Sequence, residues 1–420
     1  RHPEIVSFFV ARFGFQVTKG ARSRWGACLG LAGAVVVQFG LVGTQLNMRA
    51  RNVDGSGMST IGEHGVQVSG GMHVCSAPLS PGEEYYITAV PVNGETILDT
   101  IARAIAAVHA REAIVVSHEV FGPVAMRAEM PGGSWPVTWV DNEGSETLAG
   151  VQSWAGSGLP VSPVEVDGVD SGAVVDTDDA RYCRLGDCGP AFAHGARIVQ
   201  AGEMFKRMES GLAQAGMNFN RVARTWFYNH DILDWYAEFN ATRDTFFKAR
   251  SVFDGLVPAS TGIGGANPAG AALTGGLIAV EPKNESTRVF AVPSPLQCPA
   301  LEYGSSFSRA VEVETPSQHR VYISGTASIE PGGETLHLDD MAGQVKLTME
   351  VAGAILESRG MDWGHTVSAL AYIRNAEDAP AFGAYCAAEN LPPMPFVVTN
   401  NVVCRDNLLF EIELIALKLA

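Results

Sequence analysis

The C-terminal stretch Leu409-Phe410-Glu411-Ile412-Glu413-Leu414 alternates apolar and acidic residues. Residues i and i+2 of a strand face the same side. Glu411 and Glu413 therefore share one face, and Phe410, Ile412 and Leu414 share the other. On pattern alone this is either a solvated acidic edge or a strand that carries one carboxyl into a cleft. In a cleft, partial desolvation raises a carboxyl's pKa and suits it to proton transfer near neutral pH. Cys404 lies seven residues before Glu411, beside Arg405 and Asp406. It reads either as a small packed residue or as a thiol whose pKa is lowered by Arg405.

An anionic substrate would need arginines, since a guanidinium binds a carboxylate through two parallel hydrogen bonds. Arg309, Arg374, Arg224 and Arg405 lie near element ends, and Arg374 follows the apolar run Leu370 to Ile373. His118 and His337 have no i,i+4 partner. No HExxH or carboxylate facial-triad spacing occurs, so no metal or cofactor is expected. The absence of a Gly-x-Ser-x-Gly elbow argues against the common α/β-hydrolase mechanism. Cys183 and Cys188 have a loosely zinc-like spacing but no second pair to complete a site.

The elements that must position these residues form a repeat. Gly216-Met217-Asn218-Phe219 matches Gly360-Met361-Asp362-Trp363, from position 216 to position 360, an offset of 144 residues. Before each glycine, apolar residues recur at helical spacing: Met204, Met208 and Leu212, then Val345, Met349, Ala352 and Ile355. After each comes a strand-like run, Val222 to Tyr228 and Val367 to Ile373, and then a second helix, Ile232 to Phe247 and Ala379 to Glu389. Strands are expected at Gly150–Ser157, Arg320–Ile329 and Leu408–Ala416. Tyr85–Val120 reads as β–α–β, either completing the first lobe or forming a partial third unit. The expectation is an α/β (α+β) fold of two similar units, each a mixed sheet covered by helices. The expected division is an extension over 1–70, a degenerate lobe over 71–256 and a catalytic lobe over 257–420. The glycines of Val257–Ala279 lack the Lys-Ser/Thr of a phosphate loop, and small residues there let the backbone approach a ligand or the other lobe.

The chain has 420 residues, 46% of them hydrophobic and 18% charged, with a net charge of −16. That composition fits a compact enzyme, and the acidity argues against nucleic acid as a partner. Seven cysteines at irregular spacing read as free thiols of a cytoplasmic protein. The apolar run Ala27–Val42, about 16 residues, falls short of a bilayer span of roughly 20. It reads as a buried strand or a poorly ordered leader, with a targeting signal as the alternative. The chain begins at Arg1, and a start at Met48 or Met58 would make the residues up to 57 an upstream extension.

Five stretches resemble those of the chorismatase family, in family order over roughly 135–420: TWFYNHDILDWYAEFN, VFDGLVPASTGIGGANPAGAAL, PSPLQCPALEYGSSFSRAVEV, ISGTASI and VCRDNLLFEIE. Residues 1–70 show no such resemblance. The resemblance implies YjgF-like units, a degenerate first lobe and an intact C-terminal lobe. It also implies hydrolysis of the enolpyruvyl ether of chorismate, releasing pyruvate together with 3- or 4-hydroxybenzoate or a dihydroxycyclohexadiene carboxylate. Glu411 matches the family's acid, with Glu413 the weaker choice. Cys404 stands where hydroxybenzoate-forming members carry Cys. Arg374 and Arg309 are the expected carboxylate clamps, with Tyr303 and Tyr228 as walls and Gly325 and Thr326 as floor. The alternative is an imine or enamine deaminase of the wider YjgF class. That chemistry relies on an Arg about 15 residues before the strand glutamate, where Pro393–Thr399 offers none. YjgF-like units often trimerise, but two units in one chain could satisfy that surface internally, so a monomer is expected.

Overall fold

The computed structural model describes residues 35–42, 45–52, 59–61, 64–130 and 135–420. The described residues before Gly57 fall in a unit separate from Met58–Ala420. Within it β1 (Val35–Val42) pairs antiparallel with β2 (Gln45–Asn52). Of the apolar run Ala27–Val42, positions 35–42 are thus a strand and the remainder lies outside the described residues.

The second unit, Met58–Ala420, holds three sheets of one design. The first comprises β3 (Ser59–Ile61), β4 (His64–Ser69), β5 (Met72–Leu79), β6 (Gly82–Ala89), β7 (Ile114–Phe121), β8 (Val137–Val140) and β9 (Gly150–Ser157). The second comprises β10 (Val161–Val166), β11 (Val169–Asp176), β12 (Ala180–Leu185), β13 (Val222–Asn229), β14 (Ala259–Gly264) and β15 (Leu273–Pro282). The third comprises β16 (Arg288–Val292), β17 (Ala310–Glu314), β18 (Gln318–Ala327), β19 (Thr366–Ile373), β20 (Phe396–Asn400) and β21 (Phe410–Leu419). In each sheet an antiparallel meander ends on a strand that pairs with the unit's last strand. That last strand pairs antiparallel with the strand after the first helix, which in turn pairs parallel with the edge strand. The strand after the helix breaks register near its start in all three, at Val115/Ser117, Val222/Arg224 and Thr366/Ser368.

Helix α1 (Ile97–His109) covers the first sheet. Helices α2 (Arg197–Gln214) and α3 (Ile232–Ala249) cover the second, and α4 (Met341–Ser358) and α5 (Ala379–Ala388) the third. Helices α2 and α4 have bounds 144 residues apart, as the repeat requires. Both end on a left-handed glycine, Gly216 at φ +70° and Gly360 at φ +66°, a conformation that favours glycine. Met204, Met208, Leu212, Val345, Met349, Ala352 and Ile355 are all buried.

The fold is therefore the expected YjgF-like one, with three sheets where the repeat pointed to two. Tyr85–Val120 supplies the core of the additional unit. It escaped the 144-residue pattern because α1 is followed by β7 and then a 3-10 segment, Val124–Glu129, in place of a second full helix. Gly150–Ser157 belongs to this first sheet, and the strand that precedes α2 in its own sheet is β12. The boundary expected at 257 falls inside the second sheet, since β14 and β15 both pair with β13.

The inward faces of the three sheets meet in a common core that includes Tyr86, Trp154, Tyr182, Trp226, Tyr228, Tyr322 and Tyr372. One ion pair crosses each joint between sheets. Arg184 pairs with Glu119 at the first–second joint, Arg224 with Glu413 at the second–third, and Arg320 with Glu84 at the third–first. The glycine-rich segment lets the backbones close: a Cβ at Gly264 would meet Val402, and one at Gly265 would meet Val140.

Candidate active site

The cleft that matters lies at the joint of the second and third sheets. Strand β14 meets β18 there through Ser260 N–H donating to Ser324 Oγ (2.9 Å) and Gly325 N–H donating to Thr261 Oγ1 (2.9 Å). Strand β18 slips register against β21 between Ile323 and Thr326, which places Ser324 and Gly325 in a bulge beside Glu411. A Cβ at Gly325 would lie 3.1 Å from Glu411 Cδ and closer still to Oε1. Glycine there makes the seat for the carboxyl.

Glu411 and Glu413 point to the same inter-sheet side, while Phe410, Ile412 and Leu414 pack into the helix-side cores. Both glutamates are buried, so the strand does not present a solvated acidic edge. Their surroundings differ. Glu413 accepts from Arg224 Nη2 at 2.5 Å and from Trp226 Nε1 at 2.8 Å. Glu411 accepts no protein hydrogen bond among the described residues. Burial, reinforced by the charge of Glu413, pushes its carboxyl up to about 8, against the opposing pull of Arg224 and Arg405. At neutral pH it carries a proton.

Around Glu411 the cleft is lined by Tyr236 and Arg243 from α3, Ser260 and Gly262 from β14, Tyr303, Phe307 and Arg309 from the segment before β17, and Cys404 and Arg405 from the loop before β21. Arg309 donates through Nε to the Cys298 carbonyl (2.9 Å), and its guanidinium stacks over Tyr303 (5.3 Å) and Phe307 (5.6 Å). Its Nη2 has no partner. Arg243 is 2% exposed, yet its Nε and Nη2 also lack partners. Buried donors are normally satisfied. Two guanidinium groups with free donors beside a protonated carboxyl form a site for a small carboxylate-bearing molecule. Burial pushes the Cys404 thiol up to about 12, with Glu411 adding to the effect. It is a neutral thiol and not an activated nucleophile.

Of the expected site residues, Glu411, Cys404, Arg309, Tyr303 and Gly325 come together here. Three do not. Arg374 donates to the carbonyls of Arg405 and Asp406, so it braces the loop that carries Cys404 instead of reaching the cleft. Tyr228 is buried in the central core, edge-on to Phe121 at 5.9 Å, where it faces Arg184 and Arg224. Thr326 pairs with Ile412 on the helix-facing side and donates to the Ser324 carbonyl at 2.8 Å. Arg243 and Tyr236 were not singled out from the sequence. The signal was present in α3, where Ile232, Trp235, Phe239, Arg243, Phe246 and Phe247 form one buried helical stripe interrupted by a single cation. A Cβ at Gly262 would sit 2.8 Å from the Tyr236 hydroxyl, so that glycine accommodates the tyrosine.

Among the described residues no helix is long and apolar enough to cross a membrane. Residues 300–418 match the family model described as Endoribonuclease L-PSP. The chain is 30% identical over 223 residues to a 3-hydroxybenzoate synthase of Streptomyces hygroscopicus, covering 46% of this chain and 63% of that protein. It is 30% identical over 222 residues to a chorismatase of Streptomyces rapamycinicus, covering 47% of this chain and 64% of that protein. The chain thus spans less than two thirds of the length of these relatives. The crystal structure of a chorismatase superposes with a TM-score of 0.55 at 20% identity, covering 72% of this chain and 92% of that one, which shows a common fold. The chain is thus similar to these two relatives over about half of its own length and shares its fold with the chorismatase structure.

Proposed function

We propose that the protein is an enzyme that cleaves the enolpyruvyl ether of chorismate and releases pyruvate, with Glu411 as general acid. The observation that carries this reading is a buried, unpaired carboxyl in a cleft that is also lined by two guanidinium groups with free donors, with burial pushing the carboxyl up to about 8. The names of the two relatives support the choice of substrate.

Enol ether cleavage begins with proton transfer to the terminal methylene, which creates an oxocarbenium ion. Glu411 supplies that proton and is left as a carboxylate beside the cation, where it stabilises the developing positive charge. Water adds to the cationic carbon, and the resulting hemiketal collapses to pyruvate and the ring alcohol. The ring is released as a dihydroxycyclohexadiene carboxylate or, after loss of water, as a hydroxybenzoate. Chorismate carries two carboxylates. Arg243 and Arg309 are the clamps, Tyr303 and Phe307 pack on Arg309, and Arg374 acts indirectly by holding the loop of Cys404 and Arg405. The neutral Cys404 thiol beside the ring bears on product choice and favours hydroxybenzoate.

Three YjgF-like units in one chain support a monomer, which size-exclusion chromatography with light scattering would check. The free cysteines Cys75, Cys183, Cys188, Cys298, Cys386 and Cys404 are compatible with a reducing, cytoplasmic setting. The test of function is pyruvate release from chorismate by purified protein, with the ring product identified by mass and chromatography. No pyruvate above a Glu411→Gln control would refute the reading.

A further inference from the structure

Two carboxyls sit two residues apart on one buried face of β21, and neither is exposed by more than 5%. Such a pair cannot hold two negative charges cheaply, so one member keeps a proton, and the contacts of each decide which. Glu413 receives Arg224 Nη2 at 2.5 Å and Trp226 Nε1 at 2.8 Å, both from β13 of the neighbouring sheet, and each bond favours its charged form. Glu411 receives none. The other titratable or charged groups facing Glu411 are Arg243 and Tyr236 from α3, Tyr303 and Arg309 from the segment before β17, Cys404 and Arg405 from the loop before β21, and Tyr372 from β19.

We propose that the Arg224–Glu413 ion pair is a positioning device that makes Glu413 the charged member of the pair and leaves Glu411 the proton carrier. The same Arg224 Nη2 donates to Thr261 Oγ1 (2.5 Å), which in turn accepts the N–H of Gly325, the seat of Glu411. One guanidinium from the second sheet therefore sets both the charge state and the place of an acid on the third.

A comparison within the molecule separates this role from a purely structural one. All three joints have a buried or half-buried Arg–Glu pair. Glu411 stands opposite Tyr372 in its sheet. The corresponding positions, opposite Tyr228 and Phe121, hold Thr274 and Gly150. Neither of those positions carries a carboxyl.

The inference rests on Glu411 being the acid, and its test is arranged so that the two ideas fail separately. The pH dependence of kcat for pyruvate release is measured for the wild type, Glu413→Gln and Glu413→Asp. In parallel, each protein is titrated potentiometrically against its own Glu411→Gln counterpart, which gives the Glu411 midpoint without substrate. Glu413→Gln is expected to lower that midpoint by about one to two pH units. The alkaline limb of kcat should follow, for about a tenfold loss at pH 7.5 with KM little changed. Glu413→Asp, which keeps the charge, should restore most of the wild-type midpoint. Should Glu413→Gln not fold, Trp226→Phe removes only the second bond to Glu413 and should move the midpoint the same way by about half a unit. Unmoved midpoints in these variants would overturn the proposal, as would equal kcat losses in Gln and Asp with no change of profile. Titrations that shift as expected while no protein releases pyruvate would leave the pairing standing and refute the chorismate reading.

Discussion

Replacing Glu411 with Gln should abolish activity and stabilise the protein at the same time. In the folded state the carboxyl is held up to about 8, whereas in the unfolded chain it titrates near the ordinary 4.5. Between those values the unfolded state binds fewer protons than the folded one, so stability falls as pH rises through the window and is level above it. Each unit is worth about 1.4 kcal/mol, so at pH 7 the protonated carboxyl costs the wild type about 3 kcal/mol. Glutamine carries no such linkage. Glu411→Gln should therefore be more stable than wild type by up to about 3 kcal/mol at pH 7, by little at pH 4.5, and by most above pH 8. Urea unfolding of both proteins at pH 5, 7 and 8.5 measures this difference directly. Pyruvate release should fall by about 10²- to 10⁴-fold in the same variant. Equal stabilities at all three pH values would show that Glu411 titrates as an ordinary glutamate, and the acid assignment would lose its physical basis.

Gly325→Ala places a methyl group against the Glu411 carboxyl, and an acid displaced by about 1 Å should cost about 100-fold in kcat with the fold retained by circular dichroism. Arg243→Met removes a buried cation whose Nε and Nη2 are unpaired. The free protein should be no less stable in thermal unfolding, while KM for chorismate rises about 10- to 100-fold; an unchanged KM would remove Arg243 from the clamp. Cys404→Ala should keep pyruvate release within about threefold and change the ratio of ring products, because the thiol is held neutral with its pKa pushed up to about 12. Rapid inactivation of the wild type by iodoacetamide at pH 8 would contradict that assignment.

The sequence made the two helices and three central strands of the third unit legible, but not its strands β16, β17 and β20. The alternation at Phe410–Leu414 predicted which side chains face the helices, and the glycine register predicted α2 and α4 with their shared bounds. What it could not convey was partnership across a joint. Arg224 and Glu413 are 189 positions apart in the chain yet form one ion pair. Periodicity reads along an element, and such a pair exists only once three sheets have closed on one another. Arg374 shows the converse. Its place at a strand end suggested a ligand, but the nearest unsatisfied groups are the carbonyls of Arg405 and Asp406, and it serves them. Arg243 was legible in principle, since a cation on an otherwise apolar helical stripe must either find a partner or await one.

The three joints also indicate why chemistry concentrates at one of them. Where the first sheet meets the third, Gly150 takes the place of the acid and a Cβ there would lie 2.8 Å from Val397, so the joint is closed by apolar contact. Where the second meets the first, Thr274 donates to Asp187 (3.1 Å), whose N–H donates to Thr138 (2.9 Å), so polar groups there satisfy one another. Among the described residues, a glycine in a bulge at the joint of the second and third sheets leaves room for a carboxyl that has no protein hydrogen-bond partner. A buried group without a partner lowers stability. Closing the other two joints removes that cost twice over, while the Arg184–Glu119 and Arg320–Glu84 pairs keep the three sheets in register. The stability forgone at the remaining joint is what makes a proton available there at neutral pH.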